Sequence, residues 1–314
     1  MDTRAPMLDR PADLEALILR RPPSETLRWA EREIGPGTVI QRVRPLPGAW
    51  ASAMHAFDVA APSTEPGRRF VLRRHVWTEA ITQDPGLVTR EVAALRALRV
   101  HPVAVTTPEI VAVDPGGADT DVPTVLQSLL PGRVIHTPRD PDGFARDLAG
   151  AAAAIWAGRT GAVSAHYRPW NAEMALLAPS RSRRHELWDR AFAVFGEGPP
   201  EAGPPALVHR DFHPGNVLWR QGSVSGVVDW VHACVGPPAV DVAHCRLNLV
   251  ARLDLGRDCA DAHRDEAIRQ GATWDPWFDV AEVISWLPIP RSSPPGWFPR
   301  AQQHLERALA ELGG

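Results

Sequence analysis

Apolar residues recur at helical spacing through residues 12–33, where Leu14, Leu17 and Ile18 share one face and Leu27, Ala30 and Ile34 another. Gly35-Pro36-Gly37 ends that pattern. Short apolar or alternating runs follow at Val39–Val43, Ala53–Val59 and Phe70–His75, separated by Pro47-Gly48 and Pro62–Gly67. Alternation punctuated by turn residues predicts a small antiparallel sheet. Thr89–Leu98 returns to helical spacing, with Val92, Leu95 and Leu98 on one face and Glu91 near its start. Two more strands are expected at Glu109–Val113 and Thr124–Leu129, before Pro131-Gly132 interrupts the chain.

Beyond that break the period is mostly helical. Residues 142–158 and 185–195 read as helices. The Gly/Pro cluster Gly196–Pro205 precedes three short strands, Ala206–Val208, Val217–Arg220 and Gly226–Asp229, joined by the loop His209–Asn216 and the turn Gln221–Ser225. Helices are expected at 239–252, 258–270, 275–287 and 299–312. The pattern divides the chain into an N-terminal helical segment (1–34), a small antiparallel β-rich N-lobe (35–130) and a larger, mainly helical C-lobe (131–314), an α+β architecture.

Composition narrows the chemistry. The 34 basic residues counted as Lys plus Arg are all arginine. Lysine Schiff-base catalysis and the lysine-bearing P-loop are therefore excluded, and a fixed cation must be arginine or a metal. A net charge of -3 argues against a nucleic-acid partner. Three cysteines, Cys234, Cys245 and Cys259, without a CxxC spacing, fit a reduced, cytoplasmic setting. Met1–Arg10 lacks the apolar core of a signal peptide, and the longest apolar stretch, Leu148–Gly158, is too short for a membrane span.

The chemistry-bearing stretch is His209-Arg210-Asp211-Phe212-His213-Pro214-Gly215-Asn216, followed by Val227-Val228-Asp229-Trp230. Asp211 and Asn216 lie five residues apart across a Pro-Gly turn, and Asp229 follows a hairpin. This spacing can bring two carboxylates and an amide oxygen around one point. The oxygens of Asn216 and Asp229 suit Mg²⁺, which takes few protein ligands and keeps phosphate and water as the rest. Asp211 is left to face a hydroxyl.

This stretch resembles the catalytic loop and metal-binding Asp of the aminoglycoside phosphotransferase family, relatives of the protein kinases. His209, Asp211, Asn216 and Asp229 match its His-x-Asp-x-x-x-x-Asn pattern and the strand-terminal Asp after it. The Asp-x-His-Pro-Gly-Asn form and the Asp-Trp pair point to this small-molecule family rather than to protein kinases. Gly236–Ala243 resembles a further family segment, with Asp241 matching its second Asp, a structural partner of the loop backbone, and Pro237 replacing its first.

The resemblance covers roughly residues 35–250 and implies a bilobal protein-kinase-like fold. The N-lobe would bind a nucleotide triphosphate, ATP or GTP, with Mg²⁺, and the C-lobe would carry catalysis and the small-molecule hydroxyl substrate. Arg73, in Phe70–Arg74, would take the usual lysine place on the nucleotide phosphates, and Glu91 would pair with it. Gly48 and Ser52 would belong to a phosphate-covering loop, Leu46–Ser52, and the backbone around Gln127, Ser128 and Leu129 would read the purine. Arg74 would face the other way, into solvent.

Alternatives stay open. His209-x-Asp211-x-His213 also resembles a Zn²⁺-dependent hydrolase cluster. The missing lysine and the single glycine of the phosphate loop allow a non-catalytic nucleotide-binding protein. His209 is read as packed within the loop and bonded to backbone, and Arg210 as either solvated or near phosphate. The acidic run Asp254, Asp258, Asp261, Asp265 and Glu266 is a polycation site or a solvated helix face balanced by Arg257, Arg264 and Arg269. The aromatics Trp274, Trp277, Phe278, Trp286, Trp297 and Phe298 line a pocket for a bulky ligand such as a macrolide, or form core. His232 is a candidate for facing substrate. The acceptor is an antibiotic or a metabolite, which family membership leaves undecided.

Overall fold

Pro22 and Pro23 divide the first helical stretch, because proline cannot continue a helix. The result is α1 (Leu14–Leu19) and α2 (Ser24–Ile34) in a computed structural model that describes residues 11, 13–46, 48, 51–60, 68–170, 179, 182–287 and 295–313. Next come β1 (Val39–Pro45), β2 (Ala53–Ala60), β3 (Arg69–Arg74), α3 (Thr78–Gln83), α4 (Leu87–Val100), β4 (Ile110–Asp114) and β5 (Thr124–Ser128). The strands form one antiparallel sheet in the order β1-β2-β3-β5-β4. Helix α3 has no buried residue, which is why no apolar period announces it.

The period of two along β3 assigns its side chains to two faces. Phe70 and Leu72 pack with Trp29 and Ala30 of α2, Phe57 and Leu126. On the opposite face Val125 packs with Val88 and Val92 of α4, and Arg73 meets Glu91 of that helix. Arg74 shares the face of Phe70 and Leu72. It is therefore buried, only 4% exposed, and not solvated as the sequence suggests. Asp121 receives its Nε at 3.0 Å and its Nη2, and also accepts from the Thr26 hydroxyl at 2.9 Å. The expectation failed because α2, which covers that face, comes from the segment set apart from the sheet in the sequence.

A second unit begins beyond Leu130. It contains α5 (Pro141–Trp156), α6 (His185–Gly196), β6 (Ala206–Val208), β7 (Val217–Arg220), β8 (Ser223–Val227), β9 (Cys234–Gly236), α7 (Ala239–Leu247), α8 (Gly256–Arg269), α9 (Trp277–Ser285) and α10 (Trp297–Leu312). Helix α5 starts as its sequence dictates, with Asp140 accepting from the Gly143 N–H at 3.0 Å and Pro141 in the first turn. β6 pairs with β9, and β7 with β8. Strand β9 is only Cys-Val-Gly, too short for an alternating pattern to show. After Leu247 the chain makes a π-helical turn, Asn248–Arg252, within the stretch expected to be one regular helix.

By contacts the chain divides into one unit up to Val100 with Thr107–Leu130, and another of His101–Thr106 with Pro131–Gly314. The first is sheet-rich and the second mainly helical, so the two-lobed α+β class expected from the sequence is borne out. Among the described residues no helix is long and apolar enough to cross a membrane, and all three cysteines are buried.

The core of the second unit packs Trp188, Trp277, Phe278, Trp297 and Leu305 from α6, α9 and α10 against α7. Arg246 of α7 lies inside, 1% exposed, its Nε 3.1 Å and 3.3 Å from the Asp279 oxygens and its Nη1 2.9 Å from the Ala260 carbonyl. Burial alone would raise the Asp279 carboxyl. The charges of Arg246 and of His304, 3.2 Å away, outweigh it and bring that group down to about 2. Asp279→Ala strands a buried guanidinium and is expected to cost about 3–5 kcal/mol. Chemical denaturation measures this as a lower midpoint at unchanged slope, and a loss under ~1 kcal/mol would show that Asp261 and Ala260 suffice for Arg246.

Candidate active site

The loop after β6 is shaped by one carboxylate from the first turn of α7. Asp241, fully buried, accepts from the His209 N–H at 3.0 Å, the Arg210 N–H at 2.6 Å and the Trp156 indole at 2.9 Å. His209 is also fully buried, and its Nε2 lies 2.9 Å from the Val228 carbonyl. It packs inside the loop and bonds backbone. Arg210 adopts a left-handed φ of 68°, which turns the chain outward at Asp211. Its guanidinium bonds the Arg168 carbonyl and lies 3.8 Å from the Trp170 ring centroid. At 6% exposure Arg210 is held inside the unit, so it is not a solvated neighbour.

Pro214–Asn216 form a tight 3₁₀ turn that returns the chain toward Asp211. The Asn216 side-chain nitrogen donates to the Asp211 carbonyl at 2.9 Å and to Asp211 Oδ2 at 3.1 Å. Because the amide nitrogen is committed to these oxygens, the Asn216 Oδ1 is the atom turned away from Asp211. The β7–β8 hairpin then brings Asp229 back. Gln221 and Gly222 both have positive φ, 54° and 83°, the geometry of a tight two-residue hairpin turn. Val217 pairs with Val227, and the Val228 N–H donates to the Asn216 carbonyl at 2.9 Å. Asp229 follows at once in the left-handed region, φ 69° and ψ 60°, having left the strand expected to run through it.

Two histidines border Asp211. His244 Nε2 stands 3.0 Å from Asp211 Oδ1, and its Nδ1 stands 2.7 Å from Glu282 Oε1 of α9. His213 Nε2 is 3.8 Å from the same Asp211 oxygen. Burial by itself would raise the Asp211 carboxyl. The hydrogen bond from His244 and the charges of His213, His244 and His232 hold it well below the ordinary carboxylate range. Burial depresses the His213 imidazole to about 4. For His244 the burial effect is outweighed by the Glu282 charge and by hydrogen bonds to Asp211 and Glu282, which push it up to about 10.

Asp211, His213 and His244 offer atoms within 4.8 Å of one another, a candidate metal group. The hydrogen bonds oppose that use. The Gly215 N–H donates to His213 Nδ1 at 3.0 Å, which places the ring proton on Nε2, the nitrogen facing Asp211. Both His244 nitrogens already face carboxylates. His209, which the hydrolase reading would need, is turned to Val228 instead. The oxygen pair of Asn216 and Asp229 fits a hard cation better, since it supplies an amide oxygen and a carboxylate from one hairpin end.

On the first unit, Arg73 Nη1 donates to Glu91 Oε1 at 2.7 Å, with both side chains buried. Ser52 departs from the expected phosphate-covering role. It is 4% exposed, and its hydroxyl lies 3.4 Å from Arg73 Nε and from His75 Nδ1, braced against the ion pair. Gly48 has a φ of 86° and open space around it, as a turn requires; Pro47, Ala49 and Trp50 of that loop lie outside the described residues. Gln127 is a buried strand residue. The N–H groups of Ser128 and Leu129 donate to Glu109 O at 2.9 Å and Arg69 O at 3.0 Å within the sheet. Among the described residues the N–H of Leu130 donates to no such partner.

The proposed substrate-reading residues sort differently. Four of the five acidic residues are paired with arginines, Asp261 with Arg246, Arg257, Arg264 and Arg307, Asp265 with Arg264, Glu266 with Arg269, and Asp254 with Arg300, while Asp258 is exposed. Trp277, Phe278 and Trp297 are core, while Trp274, Trp286 and Phe298 pack against that core. His232 stands edge-on to Trp170 at 4.7 Å. His244 and Glu282 were missed. Asp241-x-x-His244 puts both residues on one helix face, a usable signal, but Glu282 is 38 residues further on and only the packing of α9 brings it in.

The sequence profile of the phosphotransferase enzyme family (APH) matches residues 55–277. A homoserine kinase of Beijerinckia indica is 44% identical over 46 residues, so the match spans 15% of this chain and 14% of that relative. Among solved structures, the macrolide 2'-phosphotransferase of Brachybacterium faecium superposes with a TM-score of 0.58 at 18% identity, covering 91% of this chain and 97% of that one. Aminoglycoside 2'-phosphotransferase-IIIa, solved as a GDP complex, gives 0.58 at 18% identity over 92% and 99%. At such identities the structures speak for the fold, while the profile match, longer than half of the chain, speaks for the family. The profile match, over more than half of its length, shows that the chain belongs to the phosphotransferase enzyme family.

Proposed function

We propose that this protein moves the γ-phosphoryl group of ATP or GTP to a hydroxyl of a small molecule, with Asp211 receiving the hydroxyl proton. The observation that carries this reading is the Asp211 carboxylate itself, presented by a loop whose backbone Asp241 holds and whose Oδ2 is fixed by Asn216. A bond forms between the acceptor oxygen and phosphorus, and the bond from the γ-phosphorus to the β–γ bridging oxygen breaks. The proton passes to Asp211, and the nucleoside diphosphate leaves. Phosphoryl transfer asks for alignment and charge neutralisation more than for a strong base, which suits a carboxylate held below its ordinary range.

Asn216 Oδ1 and the Asp229 carboxylate would hold Mg²⁺, which when bound neutralises phosphate charge. Asn216 thus has two duties, its nitrogen orienting Asp211 and its oxygen facing the cation. Arg73 supplies the fixed cation for the phosphates, its fork steadied by Glu91 and Ser52. Leu130 N–H is the donor for a purine edge. Four of the five carboxylates of the acidic run are paired with arginines, so an acceptor recognised by hydrogen bonding and shape is favoured over a polycation recognised by that cluster.

The decisive experiment offers antibiotics and metabolites bearing hydroxyls with Mg-ATP or Mg-GTP and reads products by the mass gain of one phosphoryl group. Tight nucleotide binding with no product from any acceptor would overturn the reading. Asp211→Asn is expected to lower kcat by roughly 10²–10⁴-fold with nucleotide affinity unchanged; wild-type turnover would remove Asp211 from the role. Arg73→Lys keeps the charge but loses the planar fork, and is expected to lower kcat/KM for nucleotide by about tenfold, ~1.4 kcal/mol. Equal values would show that charge alone matters there.

A further inference from the structure

Both ring nitrogens of His244 face carboxylate oxygens, Nε2 toward Asp211 at 3.0 Å and Nδ1 toward Glu282 at 2.7 Å. Ionised carboxylates only accept hydrogen bonds, so this geometry is satisfied in full when both nitrogens carry protons. The ring is buried, 7% exposed, as is the Glu282 side chain. The groups facing His244 are Asp211 and His213 from the loop, the latter with ring centroids 5.5 Å apart, and Glu282 from α9. Glu282 also accepts from the Ser285 hydroxyl at 3.1 Å, which settles its carboxylate. A purely structural buried pair would be complete with His244 and Glu282. Here the second N–H of the imidazolium is spent on the carboxylate assigned to the substrate proton.

We propose that His244, kept charged by Glu282, is a positioning residue for phosphoryl transfer that fixes the Asp211 carboxylate through Oδ1 while Asn216 fixes it through Oδ2; this rests on the reading of Asp211 given above. With one lone pair of each oxygen so engaged, the carboxylate cannot rotate, and its remaining lone pairs keep one direction toward the acceptor hydroxyl. The imidazolium also offsets the charge of Asp211 as the anionic γ-phosphoryl group approaches. In a chain without lysine, histidine supplies this second cation. Asp211 is thereby a weak, oriented acceptor, consistent with a loose transition state in which the hydroxyl proton leaves late.

The test has two arms on the full chain. In the first, ¹⁵N-histidine NMR at pH 8, with His244 assigned through His244→Gln, should show both ring nitrogens protonated, whereas an unperturbed imidazole of pKa near 6.5 is neutral there. Glu282→Gln should abolish that signature. In the second, using an acceptor identified above, His244→Gln and Glu282→Gln should each lower kcat about 10–100-fold, the range seen when an outer partner of a functional group is lost. KM for nucleotide should stay unchanged, and the double variant should be no worse than His244→Gln alone. A neutral His244 at pH 8, or full kcat in a folded His244→Gln, overturns the proposal alone. A wild-type protein that transfers no phosphate overturns it together with the role of Asp211. Glu282→Gln leaves His244 in place and so reports even where His244→Gln fails to fold.

Discussion

The buried carboxylate of Asp241 determines where everything else in the second unit's site stands. Three donors converge on it, two of them consecutive backbone N–H groups of the loop. Backbone N–H groups buried without an acceptor are costly, so the loop conformation and the first turn of α7 form together or not at all. Burial pushes this carboxyl up, and the three donors pull the other way. From that anchor follow the left-handed Arg210, the outward Asp211 and the return through Pro214–Asn216. The helix that carries the anchor carries His244 one turn later, so a single element both holds the loop and touches its reactive group.

Much of this was legible before any coordinates. The Asp211–Asn216 spacing encloses a Pro-Gly turn, and the hairpin spacing to Asp229 needs only local geometry. Local rules settle local structure, and these residues lie within 21 positions of His209. What escaped the sequence is held by distant partners. Arg74 seemed solvated because alternation says which face a residue takes but not what covers it; Asp121 lies 47 residues away. Ser52 resembled a phosphate donor, but the turn brings its hydroxyl against Arg73 and His75. The backbone around Ser128 and Leu129 was assigned to a ligand, yet its N–H groups pair with Glu109 and Arg69, a pairing that cannot be counted from one strand alone.

The family and the acceptor are questions of different kinds. Loop, hairpin and anchoring helix occupy the part of the chain the family profile matches. Acceptor choice depends on side chains outside that frame. The acidic run was one candidate, and four of its five carboxylates are answered by Arg246, Arg257, Arg264, Arg269, Arg300 and Arg307. The C-terminal aromatics were another, and they are largely taken up by the core of α6, α9 and α10. Both findings follow from a composition rich in arginine and tryptophan, whose bulk has to be packed before it can be displayed.

Arg210 and Asp229 both occupy left-handed backbone, where glycine would rest without cost. Each spends conformational energy to point a side chain, one at Trp170 and the other at the end of the β7–β8 hairpin. Such positions pull stability and activity in opposite directions. Glycine at Asp229 would relax the chain and erase a carboxylate, so drift toward a more robust fold runs through loss of chemistry. Selection for thermal tolerance alone would be expected to erode this corner first, leaving a sturdier protein with the same silhouette and no catalyst inside it.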